Sequence, residues 1–378
     1  MDQVDYLFPS EPRRGIASQE LSSILEHCVV HHASDITIQS TYPIMAEIYG
    51  KLYPITKKKL NNTEVSLLLN HIYGPNGTTQ LLSGQDLDSY FEIKPDRFQR
   101  YRFRVNGTAC FTDGQESIQI TLRHIPTTPP NLADMVLPEP LIQAMQPHDG
   151  VVYVTGATGS GKSTLLASMI KHIAEDPQCH RKILTYESPI EFVYDEIKQV
   201  SAVISQSEIP RHLPSFSAGV RNALRRKPRL IMVGESRDQE TMAAVLEAAL
   251  TGHPVYTTLH TNGVAETVRR LVATFPSEER RGRTIDIIET LRAIVWQRLV
   301  PTVDDKRVAL REYLIFDELI RDQLLDHDPN QITQVTRNLL HQYGQPMHVD
   351  ALAKFRSGQI SQRTYDLIAK DSQRKQGK

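Results

Sequence analysis

Gly156-Ala157-Thr158-Gly159-Ser160-Gly161-Lys162-Ser163 fits the spacing GxxxxGK[ST] at every fixed position. In such a loop the glycines let backbone N–H groups turn inward around phosphate. The lysine reaches the β- and γ-phosphates, and the serine hydroxyl ligates Mg²⁺. The flanking residues supply the required order. Val151-Val152-Tyr153-Val154 reads as a buried strand entering the loop, and Leu165, Leu166, Met169, Ile170 and Ile173 recur behind it at helical spacing. The helix N-terminus, with Thr164 in its first turn, adds its dipole to the anion site. Residues 156–164 therefore point to a bound nucleoside triphosphate, with Ser163 as the side chain for a metal ion.

Hydrolysis of that ligand needs a positioned water and a carboxylate, with metal near the β/γ oxygens. Three further predicted strands end in suitable residues. Ile183-Leu184-Thr185-Tyr186 leads to Glu187, with Glu191 four residues on; Leu230-Ile231-Met232-Val233 leads to Gly234-Glu235; the run from Val255 to Leu259 leads to His260. In open α/β sheets ligands bind beyond these carboxyl ends. His260, and His253 in Thr251-Gly252-His253-Pro254, are candidates to sense the γ-phosphate. A second constellation lies far upstream. Strand alternation puts Tyr101, Phe103 and Val105 on one face and Arg100, Arg102 and Arg104 on the other, while Arg123 lies opposite the apolar face of 118–122. On the residues alone this is either a plain solvated polar face or a rail that reaches a phosphate in an adjoining subunit, as an arginine finger does.

Two domains must position these groups. A helix over 21–30, strands at 35–39, 45–49 and 52–55, a helix opening at Thr63, and alternating runs at 100–106 and 117–123 make residues 1–125 an α+β domain with a short N-terminal arm. Pro126-Thr127-Thr128-Pro129-Pro130 is a proline-rich break, so 126–135 reads as linker. Residues 136–378 then alternate strands (151–155, 183–187, 230–235, 254–260) with helices, the βαβ rhythm of a parallel sheet. Beyond about 265 the chain reads as helical, with Ile285, Ile288, Leu291, Ile294 and Val295 as one apolar stripe, ending in a polar tail at 371–378.

Bulk composition restricts the function classes. Lysine and arginine total 43 against 44 acidic residues, so no global charge draws the chain to nucleic acid or anionic membrane. Cys28, Cys110 and Cys179 form no CxxC pair, which fits reduced cytosolic thiols and excludes a zinc site built from such pairs. The first residues carry no secretory pattern, and no run of apolar residues is long enough to span a bilayer.

Taken together, the motifs resemble those of the secretion and pilus-motor ATPases of type II and type IV systems, nearest the type IVB branch and the pilus-retraction motors. The likeness rests on the Walker A loop at 156–163 and an acidic box, Thr185-Tyr186-Glu187-Ser188-Pro189-Ile190-Glu191. It also rests on a Walker B segment at 230–238 and a histidine box at 251–262, with Ala33-Ser34-Asp35-Ile36 and Arg102-Phe103-Arg104-Val105-Asn106 in front. The resemblance implies an α/β architecture: a RecA-like P-loop motor domain with a parallel sheet, behind a smaller α+β, PAS-like domain. It implies a hexamer with ATP and Mg²⁺ between subunits, Glu187 as general base and Glu235 as the Walker B glutamate. Arg102, Arg104 and Arg123 are then implied to act across an interface. Partners are implied to be copies of the chain itself and inner-membrane or cytoplasmic components of a secretion apparatus, with no direct nucleic-acid contact. The implied location is cytoplasmic, peripheral to the inner membrane. Two departures stand out: the family carries aspartate where Ser188 stands, and the four-cysteine zinc module of many assembly-direction ATPases is absent.

Three other classes compete on the residues alone. A nucleic-acid translocase requires interleaved basic and aromatic runs that the sequence lacks. A P-loop kinase requires an arginine-rich lid near the motor domain. A nucleotide-bound scaffold without turnover has no use for both Glu187 and Glu235.

Overall fold

The computed structural model describes residues 6–11, 16, 18–97, 99–125, 128–304 and 306–376, apart from the side chains of 18, 19 and 373–376. Its contacts divide the chain into two units. One comprises residues 1–128 with 189–193, and the other 129–188 with 194–378.

The first unit is built on an antiparallel sheet of β1 (Ala33–Gln39), β2 (Met45–Ile48), β3 (Lys51–Pro54), β4 (Leu87–Ile93), β5 (Tyr101–Thr112) and β6 (Gln115–Ile125), in the order β3-β2-β1-β6-β5-β4. The helices Ser18–Val30 and Asn62–Tyr73 close its core with Leu21, Ile24, Leu25 and Cys28 from one and Val65, Leu68, Leu69 and Ile72 from the other. Asn61 and Glu64 form a reciprocal capping box that fixes the start of the second helix. The helix Gly77–Leu82 and strand β4 lie in a stretch without a periodic signal.

The second unit carries β7 (Gly150–Thr155), β8 (Lys182–Glu187), β9 (Val203–Glu208), β10 (Leu230–Val233), β11 (Pro254–Leu259), β12 (Leu291–Pro301) and β13 (Arg307–Ile315). They form one sheet in the order β13-β12-β7-β11-β10-β8-β9, parallel throughout except for β13 at the edge. Every residue of β7, β10 and β11 is buried, because a central parallel strand is covered on both faces and so reads as a continuous apolar run. The expected α/β architecture with a parallel sheet is present.

The expected helical stripe beyond 265 needs correction. Ile285 and Ile288 do belong to a helix, Arg280–Thr290, but Leu291, Ile294 and Val295 lie on β12. Both a helix and a doubly buried strand use such residues, and pairing of β12 beside β7 decides for strand. Strand β9, with an exposed and half-buried edge, gave no apolar run to find. Of the polar tail, residues through Gln376 extend the helix Gln362–Gln376. Parts of the expected N-terminal arm (1–5, 12–15 and 17), linker (126–127) and polar tail (377–378) lie outside the described residues.

Candidate functional site

Register places the ends of four strands at one sheet edge. Thr155 of β7 pairs with Leu259 of β11, Val233 of β10 pairs with Thr257 of β11 and with Tyr186 of β8, and each strand then enters its loaded loop. Backbone bonds tie the loops to that edge: Gly156 N–H donates to Leu259 O (3.2 Å), Gly234 N–H to Tyr186 O (2.8 Å) and Ser236 N–H to Thr258 O (3.1 Å). The phosphate loop, Glu187, Glu235 and His260 are thus assembled along one line by strand pairing alone.

The loop has the backbone of an anion cradle. Gly156, Gly159 and Gly161 take φ of 144°, 74° and 84°, a left-handed region where a side chain is strained. At Gly156 a Cβ would also collide with the carbonyl of Gln297 and with Ser160 Oγ. Ala157, Thr158 and Gly159 are exposed at the loop tip, Ser160 and Lys162 are buried, and Ser163 and Thr164 are half-buried in the first turn of the helix Lys162–Glu175. Lys162 Nζ lies over the loop, donating to the carbonyls of Gly156 (3.0 Å) and Ala157 (2.9 Å). Ser160 Oγ is buried with no hydrogen-bond partner, which leaves a donor inside the cradle for a phosphate oxygen. These features fit a nucleoside triphosphate. Among the described residues no group of three or more His, Cys, Asp or Glu could hold a metal. Mg²⁺ fits here in its usual form, held by substrate phosphates and one or two side chains, for which Ser163 stands in the cradle.

Glu187 is 6% exposed, and its Oε1 accepts from Thr185 Oγ1 (2.6 Å) and Gln206 Nε2 (3.0 Å). Burial, and then the Glu187 charge, push the Tyr194 hydroxyl well above its ordinary range, so it stays a neutral phenol. Glu235 is half-buried, and its Oε1 lies 3.6 Å from His260 Nε2. Thr258 Oγ1 donates to Gly234 O (2.6 Å), and Ser236 Oγ bonds Thr257 Oγ1 (2.7 Å), pinning the turn on either side of Glu235.

Two expected participants do not join this line. His253 precedes β11, at the amino edge of the strand whose carboxyl edge carries His260. The six residues between them span about 20 Å of extended chain, and its Nδ1 lies 3.2 Å from Ala248 O at the end of the preceding helix. Glu191 belongs to the first unit, and its main-chain carbonyl accepts from Arg102 Nη1 (3.2 Å).

The front-domain arginines divide into two kinds. Arg102 is 1% exposed, so the expected solvated rail is interrupted: residues 189–193 pack with this unit, and Arg102 Nη2 also donates to Ile190 O (3.0 Å). Arg104 and Arg123 are exposed and stand directly opposite each other across β5 and β6. Each is tethered by an aspartate: Arg104 Nε and Nη2 reach Asp88 (3.1 and 2.6 Å), and Arg123 Nε reaches Asp35 (2.8 Å).

Sequence reasoning missed Gln297. This β12 residue is 3% exposed; its Nε2 donates to Ser160 O (2.6 Å) and its Oε1 accepts from Arg311 Nε (2.9 Å). Arg311 Nη1 in turn reaches Met135 O (2.9 Å). The loop is thereby braced from a strand more than a hundred residues downstream. Its signal in the sequence is weak, a glutamine in a strand that also carries Arg292 and Arg298. A cavity of about 590 Å³ adjoins loop residues 157–160, with Trp296, Leu340 and Met347 in its walls.

Comparisons with known proteins bear on the family and the fold. A family model described as type II/IV secretion system protein matches residues 13–345. The crystal structure of the Legionella pneumophila ATPase DotB superposes with a TM-score of 0.91 at 62% identity, covering 97% of this chain and 99% of that one. The pilus retraction motor PilT, solved with bound ADP, gives 0.79 at 29% identity, covering 92% and 96%. The type IV pilus retraction ATPase PilT of Pseudomonas aeruginosa is 33% identical over 303 residues, 80% of this chain and 84% of its own length. The chain therefore has the RecA-like α/β fold and is an ATPase. The chain belongs to the type II/IV secretion ATPase family, which includes the pilus motors.

Proposed function

We propose that this chain is the ATP-hydrolysing motor of a type IVB secretion or conjugation apparatus, working as a homohexamer with ATP bound between subunits. The observation that carries the reading is the 62% identity to the DotB ATPase across 97% of the chain, joined to an intact phosphate cradle and two carboxylates at one sheet edge. In this reading residues 156–164 bind the triphosphate, and Lys162 neutralises its β/γ oxygens. Mg²⁺, when bound with ATP, supplies further neutralisation, with Ser163 and Glu235 as the side chains at hand to hold it. Glu187 orients and deprotonates the attacking water. His260, 3.6 Å from Glu235, answers to the γ-phosphate.

Arg104 and Arg123 are the candidates to act on a neighbour's nucleotide. Two like charges directly opposite in a sheet are unfavourable, and Asp88 and Asp35 hold them there. A cross-strand pair of exposed guanidinium groups is what a trans-acting phosphate clamp requires. The partners proposed are other copies of the chain and inner-membrane or cytoplasmic components of the apparatus. The chain works in the cytoplasm, peripheral to the inner membrane and without binding nucleic acid. Among the described residues no helix is long and apolar enough to cross a membrane. Pilus retraction is the second reading, favoured by the likeness to PilT.

The test is specific ATPase activity against protein concentration, with mass from light scattering. Activity that climbs as a six-subunit species forms supports shared sites. A flat activity from a monomer leaves the nucleotide site standing and rejects the ring.

A further inference from the structure

Arg102 does something that its place on the strand does not require. Its neighbour Phe103 fills the core on the opposite face of β5, yet Arg102 is itself almost wholly enclosed. Its guanidinium lies 4.6 Å from the Tyr90 ring centroid, with Nε 3.9 Å from Glu92 Oε2. Two of its nitrogens donate to consecutive main-chain carbonyls, Ile190 O at 3.0 Å and Glu191 O at 3.2 Å. A buried guanidinium is costly unless its donors are satisfied. Here the satisfaction comes from the backbone of a segment distant in sequence.

That segment is the second half of the acidic box. Residues 189–193 pack with the first unit, whereas Glu187 and Ser188 belong to the second. The carboxylate of Glu187 is oriented on its own side by Thr185 and Gln206. Only Ser188 and Pro189 separate it from the first carbonyl that Arg102 holds. Proline in that short tether restricts φ and removes slack. β5 is a stiff anchor, paired with β4 on one side and β6 on the other.

We propose that Arg102 is a positioning residue for ATP hydrolysis: it clamps the main chain at 190–191 to the front unit, so the placement of Glu187 depends on that unit. The proposal rests on Glu187 being the reacting carboxylate. Arg102 touches no nucleotide in this scheme. Its effect passes along the chain, and the front unit sets the activity of the motor unit through a covalent tether of two residues.

The experiment measures kcat and KM for ATP on the full-length chain in four variants and one combination of two of them, with melting temperature in parallel. Arg102→Met removes the donors at similar volume, and Arg102→Lys restores a single point donor. Insertion of two glycines between Ser188 and Pro189 lengthens the tether but leaves Arg102 and its acceptors in place. Glu187→Gln tests the carboxylate itself. Misplacement of a reacting group by about 1 Å costs up to about a hundredfold. Arg102→Met and the insertion are therefore expected to lower kcat at least about tenfold with KM within about twofold, and Arg102→Lys to fall between. Added to Glu187→Gln, the insertion should produce no further loss. An insertion variant with full kcat beside an inactive Glu187→Gln overturns the clamp. So does an Arg102→Met variant that melts early but turns over normally. Should Arg102→Met fail to fold, the insertion decides alone. A fully active Glu187→Gln removes the reading of Glu187 as base, a failure distinct from that of the clamp.

Discussion

Lys162 and Glu235 differ in what they touch, and their variants should differ accordingly. Lys162 Nζ sits over the loop, donating to the carbonyls of Gly156 and Ala157. Lys162→Ala should lose ATP binding and lower turnover by at least about a hundredfold, the scale for one preorganised charge contact. Equilibrium binding of a fluorescent ATP analogue checks this. Glu235 stands outside the loop beside His260, so Glu235→Gln should bind ATP normally and lose turnover by about a hundredfold or more. Binding that vanished with Glu235→Gln would assign it to holding the loop. The cysteines make a separate contrast. Burial pushes the Cys28 thiol up to about 12, so at pH 8 only about one part in ten thousand is thiolate, the reactive form. Raising the pH toward 12 increases that fraction, because a raised pKa delays loss of the proton. Cys110 and Cys179 are half-buried. Iodoacetamide at pH 8 should modify these two in the folded chain and reach Cys28 only after denaturation, as peptide mass spectrometry would show.

At the scale of elements, β12 decides how firmly the phosphate loop is held. Its Gln297 spans two demands, the Ser160 carbonyl and the Arg311 guanidinium. Burial depresses the Arg311 pKa from its ordinary value, so a lost hydrogen bond there falls on a charge already poorly solvated. Gln297→Ala should take this partner from the Ser160 carbonyl and from Arg311 Nε, at a cost of about 1–3 kcal/mol. The expected result is a lower melting temperature and a raised KM for ATP. Gln297→Glu, which keeps the acceptor toward Arg311 and loses the donor toward Ser160, should recover melting temperature more than KM. Equal recovery of both would remove the brace from the loop and leave Gln297 as packing alone.

For the whole molecule, the question is whether one chain completes another's site. Arg104 and Arg123 belong to the front unit, and the phosphate loop belongs to the motor unit. If the proposed ring places them across an interface, Lys162→Ala and Arg104→Ala subunits fail for different reasons and can complement. Mixing the two inactive variants under assembling conditions should restore part of the wild-type ATPase activity. A mixture as inactive as its components, with mixed rings verified by mass, would place Arg104 in the service of its own chain. The Asp88→Asn variant extends this argument. It frees Arg104 from its bidentate partner without removing the charge, so turnover should survive in assembled protein.

The sequence by itself determined the chemistry and the class of fold. A phosphate loop is a local object, written in contiguous glycines, lysine and serine, and the strands that feed it are continuous apolar runs because both their faces are buried. Glu187, Glu235 and His260 were legible for the same reason, each following such a run directly. What remained hidden depends on pairing between distant segments. β12 looks like the end of a helix until β7 is beside it, and Gln297 is one polar residue until Ser160 lies against it. Arg102 and Arg104 have the same residue type and the same alternation on one strand. Only the packing of 189–193 onto the front unit makes the first a buried clamp and leaves the second exposed. His253 and His260 sit in one motif, but an extended strand carries them to opposite edges of the sheet. Local spacing encodes which groups are available; the tertiary structure, through non-local pairing that no window of sequence contains, decides which of them meet.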